Sequence, residues 1–429
     1  MRWTVGEGAG VTWNGITLKY GTSELKVEVP SAKLLGVLVP SEPELPPSET
    51  DEIERALDNP TGTPRLEEMV EPWMKVVIMA SDITRPSPTS KLLPPLLRRL
   101  EKAGVKDSQI TVVFGMGIHR AHTEEEKKIL VGEDVFARIK CVDSIEGDFV
   151  YIGTTSRGTP VEVARPVAEC DFLIATGNVE YHYFAGYSGG AKAVIPGACS
   201  RRTVEANHSM QLMPGAEAGS YDQNPVRQDI EEAARMVGLD FILNVVLDPS
   251  KRTVRAVAGD PLSAHAEARK VTDLVYGVEI PRRADIAIAS AGGRPKDLNF
   301  YQAQKALENA AYAVREGGVV ILVAECPEGL GEPTFEKYMT GMEPDEIVES
   351  IRRKFVLGGH KAAAVARILR QKDVYLVSSM DGETVRKCKM KPFPELCEAL
   401  DAAFSALGPD ATVWVMPYAG STVPRLRGS

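Results

Sequence analysis

Val76-Val77-Ile78-Met79-Ala80, Ile110-Thr111-Val112-Val113-Phe114 and Phe172-Leu173-Ile174-Ala175-Thr176 are the stretches on which the fold turns. Each is apolar almost throughout, so a strand built from it has no face to turn toward water. A helical stretch, about 92–103, separates the first two. Strands buried on both faces with helices between them make parallel βαβ units. A second series follows the Pro281-Arg282-Arg283 break: a strand at 286–290, a helix at about 302–314, a strand at 319–323, helices near 344–354 and 361–369, and strands at 374–377 and 412–416. Pro344 suits the first turn of its helix, where a missing N–H costs nothing. The reading is an α/β protein of two Rossmann-like domains with a cleft between them. Residues 1–275 form the first, a linker lies near 275–284, residues 285–418 form the second, and 419–429 are a tail. Ligands in such folds sit beyond the carboxyl ends of the strands. Ahead of Lys75, alternating positions at 11–18 and 25–29 suggest an edge hairpin, followed by a wrapping segment rich in Pro and Glu.

The chain has 429 residues, 44% hydrophobic and 25% charged, enough for two domains of ordinary size. A formal charge of -9 and a pI near 5.4 repel polyphosphate backbones, so nucleic acid is not an expected partner. A few local cations can still hold a small anion. The cysteines Cys141, Cys170, Cys199, Cys326, Cys388 and Cys397 are scattered without a Cys-x-x-Cys pair, which points to a reducing compartment and away from structural zinc. The first 13 residues lack a basic start and apolar core, and no stretch nears the roughly 20 apolar residues of a membrane span. A cytoplasmic protein that does not enter membranes is expected.

Four of the six histidines, His119, His122, His182 and His208, fall in one part of the first domain. Taken singly, each reads as a surface residue; their neighbours change that. Gly115-Met116-Gly117-Ile118-His119-Arg120 follows directly on the strand at 110–114. It opens like a dinucleotide fingerprint, but Arg120 replaces the third glycine, and Thr123 to Glu126 looks like a helix start farther on. An NAD site is therefore disfavoured, and His119 is left on a glycine-bent loop where such folds keep reactive groups. His122, beside a run of glutamates, reads as a solvated neighbour. From His182 to Ala193 the chain resembles a P-loop only superficially, because Ala191 stands where the last glycine belongs and Ala193 where a magnesium-binding hydroxyl belongs. What remains is a set of backbone N–H groups at Ser188, Gly189 and Gly190 ahead of a helix, suited to a phosphate, with Lys192 beside them. The alternative is a tight packing turn. Thr203 to His208 reads as a helical turn ending in an imidazole, a weak metal ligand by itself. Asp82-Ile83-Thr84-Arg85-Pro86 follows another strand. In the second domain Gln302 and Lys305 share a helix face near its N-terminus and could grip a carboxylate or keto oxygen.

Asp82-x-Thr84-Arg85-Pro86, Gly117-x-His119-Arg120 with Thr123-Glu124-Glu125-Glu126, the run from His182 through Ser188-Gly189-Gly190 to Lys192, Asn207-His208, and Tyr301-Gln302-x-x-Lys305 together resemble the nickel-dependent lactate racemase family. Each motif alone is weak; five in order over roughly residues 75–330 are specific. The resemblance implies a 2-hydroxyacid racemase or epimerase that uses nickel(II) held in pyridinium-3,5-bisthiocarboxylic acid mononucleotide, the nickel-pincer nucleotide. It implies that the first domain carries this cofactor, with Lys192 able to join one thioacid covalently. His208 would complete a square-planar nickel, a geometry that suits nitrogen with sulfur and carbon donors. Ser188, Gly189 and Gly190 would hold the nucleotide phosphate, with Thr84 also at the cofactor. His119 and His182 would be general bases on opposite sides of the substrate. Arg85, Tyr301, Gln302 and Lys305 would orient its carboxylate, and Asp82 would order Arg85 or the cofactor. Partners would be the small 2-hydroxyacid and the proteins that make the cofactor. Hydride transfer suits such a substrate, because removing the C2 proton beside an ionised carboxylate is hard. An imidazole with an ordinary pKa of about 6.5 can meanwhile take the hydroxyl proton.

One departure bears on the substrate. Lactate-type members place a Trp followed by Gln near the helix after the second strand of that domain, where this chain has Gly358-Gly359-His360-Lys361. His360 and Lys361 then read as a polar, cationic pocket wall, and malate or another polar 2-hydroxyacid is expected over lactate. Two rival functions stand beside this one. An NAD-dependent 2-hydroxyacid oxidoreductase would need added NAD, and a non-catalytic nickel-cofactor-binding protein would have no use for both His119 and His182.

Overall fold

The computed structural model describes residues 15–85 and 87–427. The leader reading of the first 13 residues, the start of the alternating segment at 11–14, Pro86, and the last two residues of the tail lie outside the described residues. The chain forms two compact units, Glu42–Asp273 on the one hand and, on the other, the described residues up to Ser41 together with those from Leu274 onward. This corrects the expected division. The strand Leu34–Val37 pairs in parallel with Val413–Met416, so the amino-terminal segment is part of the second sheet and not of the first domain. Gly277–Ile280 pairs with Val423–Leu426, so the expected linker and tail are two strands of one ribbon. Neither was signalled by composition, because both draw their regularity from partners more than a hundred residues away.

In the unit Glu42–Asp273 the sheet runs in the order Thr253–Gly259, Leu239–Leu247, Phe172–Asn178, Val76–Ser81, Ile110–Gly115, Lys140–Asp143. Only the first of these is antiparallel to its neighbour. Ile78, Val112, Ile174 and Leu243 are sealed from solvent, as unbroken apolar runs require. The helix Thr89–Lys102 covers them with Leu92, Leu93, Leu96 and Leu100, spaced along one face. From the central strand Val76–Ser81 the chain steps outward through two strands, then returns to that strand's other side at Phe172–Asn178. A reversal of this kind is where α/β sheets place their ligands, beyond the carboxyl ends of the strands. The segments after Ser81, Gly115 and Asn178 all begin there.

The other unit has a six-stranded parallel sheet in the order Lys391–Phe393, Asp373–Val377, Val314–Val323, Ala284–Ser290, Val413–Met416, Leu34–Val37. Its core includes Ile286, Ile288, Ile321, Val323, Val413 and Val415. The expected hairpin, Ile16–Tyr20 with Ser23–Val27, is a separate ribbon that buries Leu18 in this core. Among the described residues no helix is long and apolar enough to cross a membrane.

Candidate active site

Three neighbouring strands deliver the chemistry of the unit Glu42–Asp273. The central one ends on Asp82, buried at 3% exposure, whose Oδ1 accepts from the backbone N–H and hydroxyl of Thr84 at 2.8 and 2.5 Å. Its Oδ2 lies 3.4 Å from Nδ1 of His119 and 3.7 Å from Nε of Arg85. Burial works to raise the Asp82 pKa, but the contacts from His119 and Thr84 and the charge of Arg85 outweigh it and hold the carboxyl at about 2. His119 Nδ1 is buried and lacks a well-aligned hydrogen bond, the carboxylate being its near neighbour. The asymmetry places the ring proton on Nδ1, facing the carboxylate, and the lone pair on Nε2.

The loop carrying His119 is pressed against the segment carrying Lys192. Gly117 N–H donates to the Gly197 carbonyl at 2.9 Å, and a Cβ at Gly115 would stand 3.1 Å from the Gly197 Cα. Small residues on both sides are what this approach demands. Lys192 itself is half-buried. Burial, then the positive charges of Arg85 and Arg227, push its ammonium down to about 7, with Glu180 and Asp82 opposing. The amine is therefore available as a nucleophile near neutral pH.

His182 sits in the short hairpin Tyr181–His182 with Gly186–Tyr187. Its Nδ1 accepts the Ala185 N–H at 3.2 Å, so its neutral ring holds the proton on Nε2, the reverse of His119. Phe184 makes edge contacts with both His182 and His208, at 4.6 and 4.9 Å between ring centres. His208 lies in the last turn of the helix Arg201–Ser209, which starts on the Ser200 hydroxyl as its cap. Among the described residues no three His, Cys, Asp or Glu side chains come together to hold a metal.

Several expectations need correction here. Ser188, Gly189 and Gly190 do not form an open cradle. The Ser188 N–H donates to the Glu180 carbonyl at 2.8 Å, its hydroxyl bridges Asn178 and Glu180, and the Gly190 N–H donates to Asn244 Oδ1 at 2.7 Å. Gly189 and Gly190 have φ of 70° and 57°, and Cβ atoms there would meet Val179 at 2.6 Å and His265 at 2.9 Å. The glycines serve a tight packing turn, the alternative reading, and a 3-10 turn, Gly190–Ala193, replaces the expected helix. Behind the turn lies fully buried Arg227, 3.0 Å from Glu231 and 2.8 Å from His265, whose Nε2 is 2.9 Å from the Ser188 carbonyl.

His122 is not a solvated neighbour either. Its ring is buried, with Nδ1 2.7 Å from Asp143 Oδ1 and Nε2 accepting the Ile83 N–H at 3.1 Å. It thereby ties the segment of Asp82 to the strand Lys140–Asp143. Sequence reasoning missed Asp143, Asn244 and Arg227, since their partners lie 21 to 54 positions away.

In the other unit Tyr301, Gln302 and Lys305 lie on the helix Phe300–Ala311, capped by Asn299. Gln302 and Lys305 are both exposed, on one face as the spacing predicts. His360 and Lys361 depart from expectation. His360 is 8% exposed, its Nδ1 accepts the Gly358 N–H at 3.1 Å, and burial, then the Lys361 charge, bring it down to about 4. The Lys361 ammonium lies 3.6 Å over the Tyr301 ring and donates to the Tyr301 carbonyl at 3.1 Å. Both side chains are engaged within their own unit, because the two preceding glycines start a helix that turns them inward.

Two imidazoles, a carboxylate held ionised and a lysine brought down to about 7, on segments that follow neighbouring strands of one α/β sheet, are groups suited to acid–base chemistry. Comparison with known proteins narrows this. Residues 20–219 match the lactate racemase N-terminal domain and residues 280–423 the lactate racemase C-terminal domain. The chain is 34% identical to a lactate racemase of Thermoanaerobacterium thermosaccharolyticum over 96% of this chain and 99% of that one. It is 35% identical to a lactate racemase of Lactiplantibacillus plantarum over 86% and 89% of the two chains. The solved lactate racemase apoprotein from T. thermosaccharolyticum superposes with a TM-score of 0.87 at 34% identity, covering 96% of this chain and all of that one. The chain belongs to the lactate racemase family, and it is an isomerase.

Proposed function

We propose that this protein inverts C2 of a 2-hydroxyacid by hydride transfer coupled to proton transfer, with a nickel-pincer nucleotide held by Lys192 and His208. The observation that carries the reading is the pair His119 and His182. They follow the two strands that flank the strand of Asp82, and their ring protons are held on opposite nitrogens. The residues fit the cofactor in two respects, a lysine amine brought down to about 7 and an imidazole, His208, in the last turn of the helix Arg201–Ser209. They do not fit a phosphate cradle built from Ser188 and Gly190, whose N–H groups are already committed. When bound, the nucleotide supplies the acceptor and donor of hydride.

The chain's own residues do the rest. His119 takes the substrate hydroxyl proton at Nε2, and ionised Asp82 beside its Nδ1 stabilises the imidazolium that forms. His182, once it carries a second proton, gives one to the keto oxygen from the other side of the substrate, so that the two imidazoles exchange their charge over a turnover. Arg85, half-exposed and drawn to Asp82, orients the carboxylate. Thr84 is spent on Asp82 and acts by fixing it. His360 and Lys361 give no cause to prefer malate, because each is engaged inside its own unit. We therefore assign a substrate with a short uncharged third substituent, of the lactate class.

The test is the loaded enzyme with enantiopure 2-hydroxyacids. His119→Ala and His182→Ala should each abolish racemisation while one enantiomer alone still shows a single-turnover change in cofactor absorbance. Equal residual steady-state racemisation in both variants would exclude paired bases. A preference for malate over lactate of tenfold or more, about 1.4 kcal/mol in the transition state, would restore the polar-substrate expectation.

A further inference from the structure

The helix Arg201–Ser209 ends on Asn207 and His208, and Asn207 is fully buried. Its amide nitrogen donates to Asp229 Oδ2 at 2.8 Å and to the Val226 carbonyl at 3.2 Å. Both acceptors are oxygens without a hydrogen to give, so the amide cannot turn over, and its Oδ1 is the atom that faces His208 Nδ1 at 3.1 Å. An acceptor opposite Nδ1 requires the ring hydrogen there and leaves the lone pair on Nε2. Asp229, also fully buried, is fixed in turn by the hydroxyls of Thr155 at 2.5 Å and Thr159 at 2.8 Å. Those threonines stand at the turn between the strands Phe149–Thr154 and Pro160–Ala164.

We propose that Asp229 and Asn207 are positioning residues that lock His208 as its Nδ1–H tautomer and so present Nε2 as the metal-binding atom. The metal half rests on the reading of His208 given above; the tautomer half does not. An outer partner that orients a ligating histidine governs metal affinity by roughly 10- to 100-fold. Here the carboxylate acts through an intervening amide. This gives the buried Thr155, Thr159 and Asp229 group a purpose other than packing, since its last member is the neighbour of a site residue.

The experiment reads the ring nitrogen chemical shifts of His208 in the metal-free full-length protein, assigned by comparison with His208→Ala. The wild type should show Nδ1–H. Asn207→Ala should give a mixture of tautomers, and the loaded enzyme should lose nickel roughly 10- to 100-fold more readily to a chelator in dialysis. Asp229→Asn, which frees the Asn207 amide to turn, should give a smaller change in the same direction, and it carries the test if Asn207→Ala does not fold. A wild type with Nε2–H, or an unchanged tautomer in a folded Asn207 variant, overturns the proposal. A His208→Ala enzyme that keeps its nickel overturns the metal reading and leaves the tautomer result standing, so the two fail separately.

Discussion

Replacing Lys192 by Met should stabilise the cofactor-free protein near neutral pH, although it removes a residue of the site. The ammonium is lowered from 10.5 to about 7, and each tenfold change in proton affinity is about 1.36 kcal/mol. That bounds the cost of keeping the group charged in the fold at about 5 kcal/mol. The side chain retains some exposure, so solvent screening reduces the effect to on the order of 2 kcal/mol. Because the folded pKa lies below the unfolded one, the unfolded chain binds more protons between pH 7 and 10.5. Wild-type stability should therefore rise with pH across that window. The advantage of Lys192→Met should be largest at pH 7 and below and should vanish as pH approaches 10.5. Urea melts of both proteins at several pH values measure this, and the rate of Lys192 acylation by an amine reagent, read by mass, should have its midpoint near 7. Arg85→Gln should move that midpoint upward, since it removes a neighbouring positive charge. A stability gap that is flat from pH 7 to 10, or a labelling midpoint near 10, would refute the reasoning.

Asp82→Asn removes a carboxylate whose pKa falls from 3.8 to about 2 on folding. The wild type should hold up to about 2 kcal/mol of extra stability above pH 4 and lose it as pH falls through 2, which acid titration of the two proteins checks. Gly189→Ala places a Cβ 2.6 Å from Val179 and 2.8 Å from Asn244 at a φ of 70°. It should cost roughly 2–4 kcal/mol, seen as a lower urea midpoint at unchanged slope. His122→Phe keeps the ring but leaves buried Asp143 without its imidazole and the Ile83 N–H without its acceptor. A loss of about 3 kcal/mol is expected, and a urea midpoint equal to that of the wild type would show that the link to Ile83 carries no weight.

The sequence was most legible where the signal is local. The strands at 76–80, 110–114 and 172–176 each appear with at most two residues added, because a run buried on both faces announces itself without knowledge of its partners. The helix faces carrying Leu92 to Leu100 and Gln302 with Lys305 were equally plain. Legibility failed where a side chain's role is set by a distant one. His122 stands next to glutamates in sequence and next to Asp143 in space, and the Gly189-Gly190 pair reads as a phosphate loop until Asn244 and His265 are seen to fill its concave side. His360 stands where the family resemblance implies a pocket wall, yet the glycines before it open a helix in which it is buried. The strand Leu34–Val37 belongs to the sheet of the later strands, and its four residues carry no mark of the partner, Val413–Met416, that completes them.

That strand also sets an order for making the molecule. The unit Glu42–Asp273 is one uninterrupted stretch of chain and can close as soon as it has emerged from the ribosome. The other unit is begun before it and finished after it, so Leu34–Val37 waits for Val413–Met416 through nearly the whole of synthesis. A fragment cut to begin near residue 280 would keep five of the six strands but expose the flank of Val413–Met416, with its hydrogen-bonding groups unpaired. Such a fragment should self-associate through that flank, and restoring the first 41 residues through a short tether should return it to a monomer.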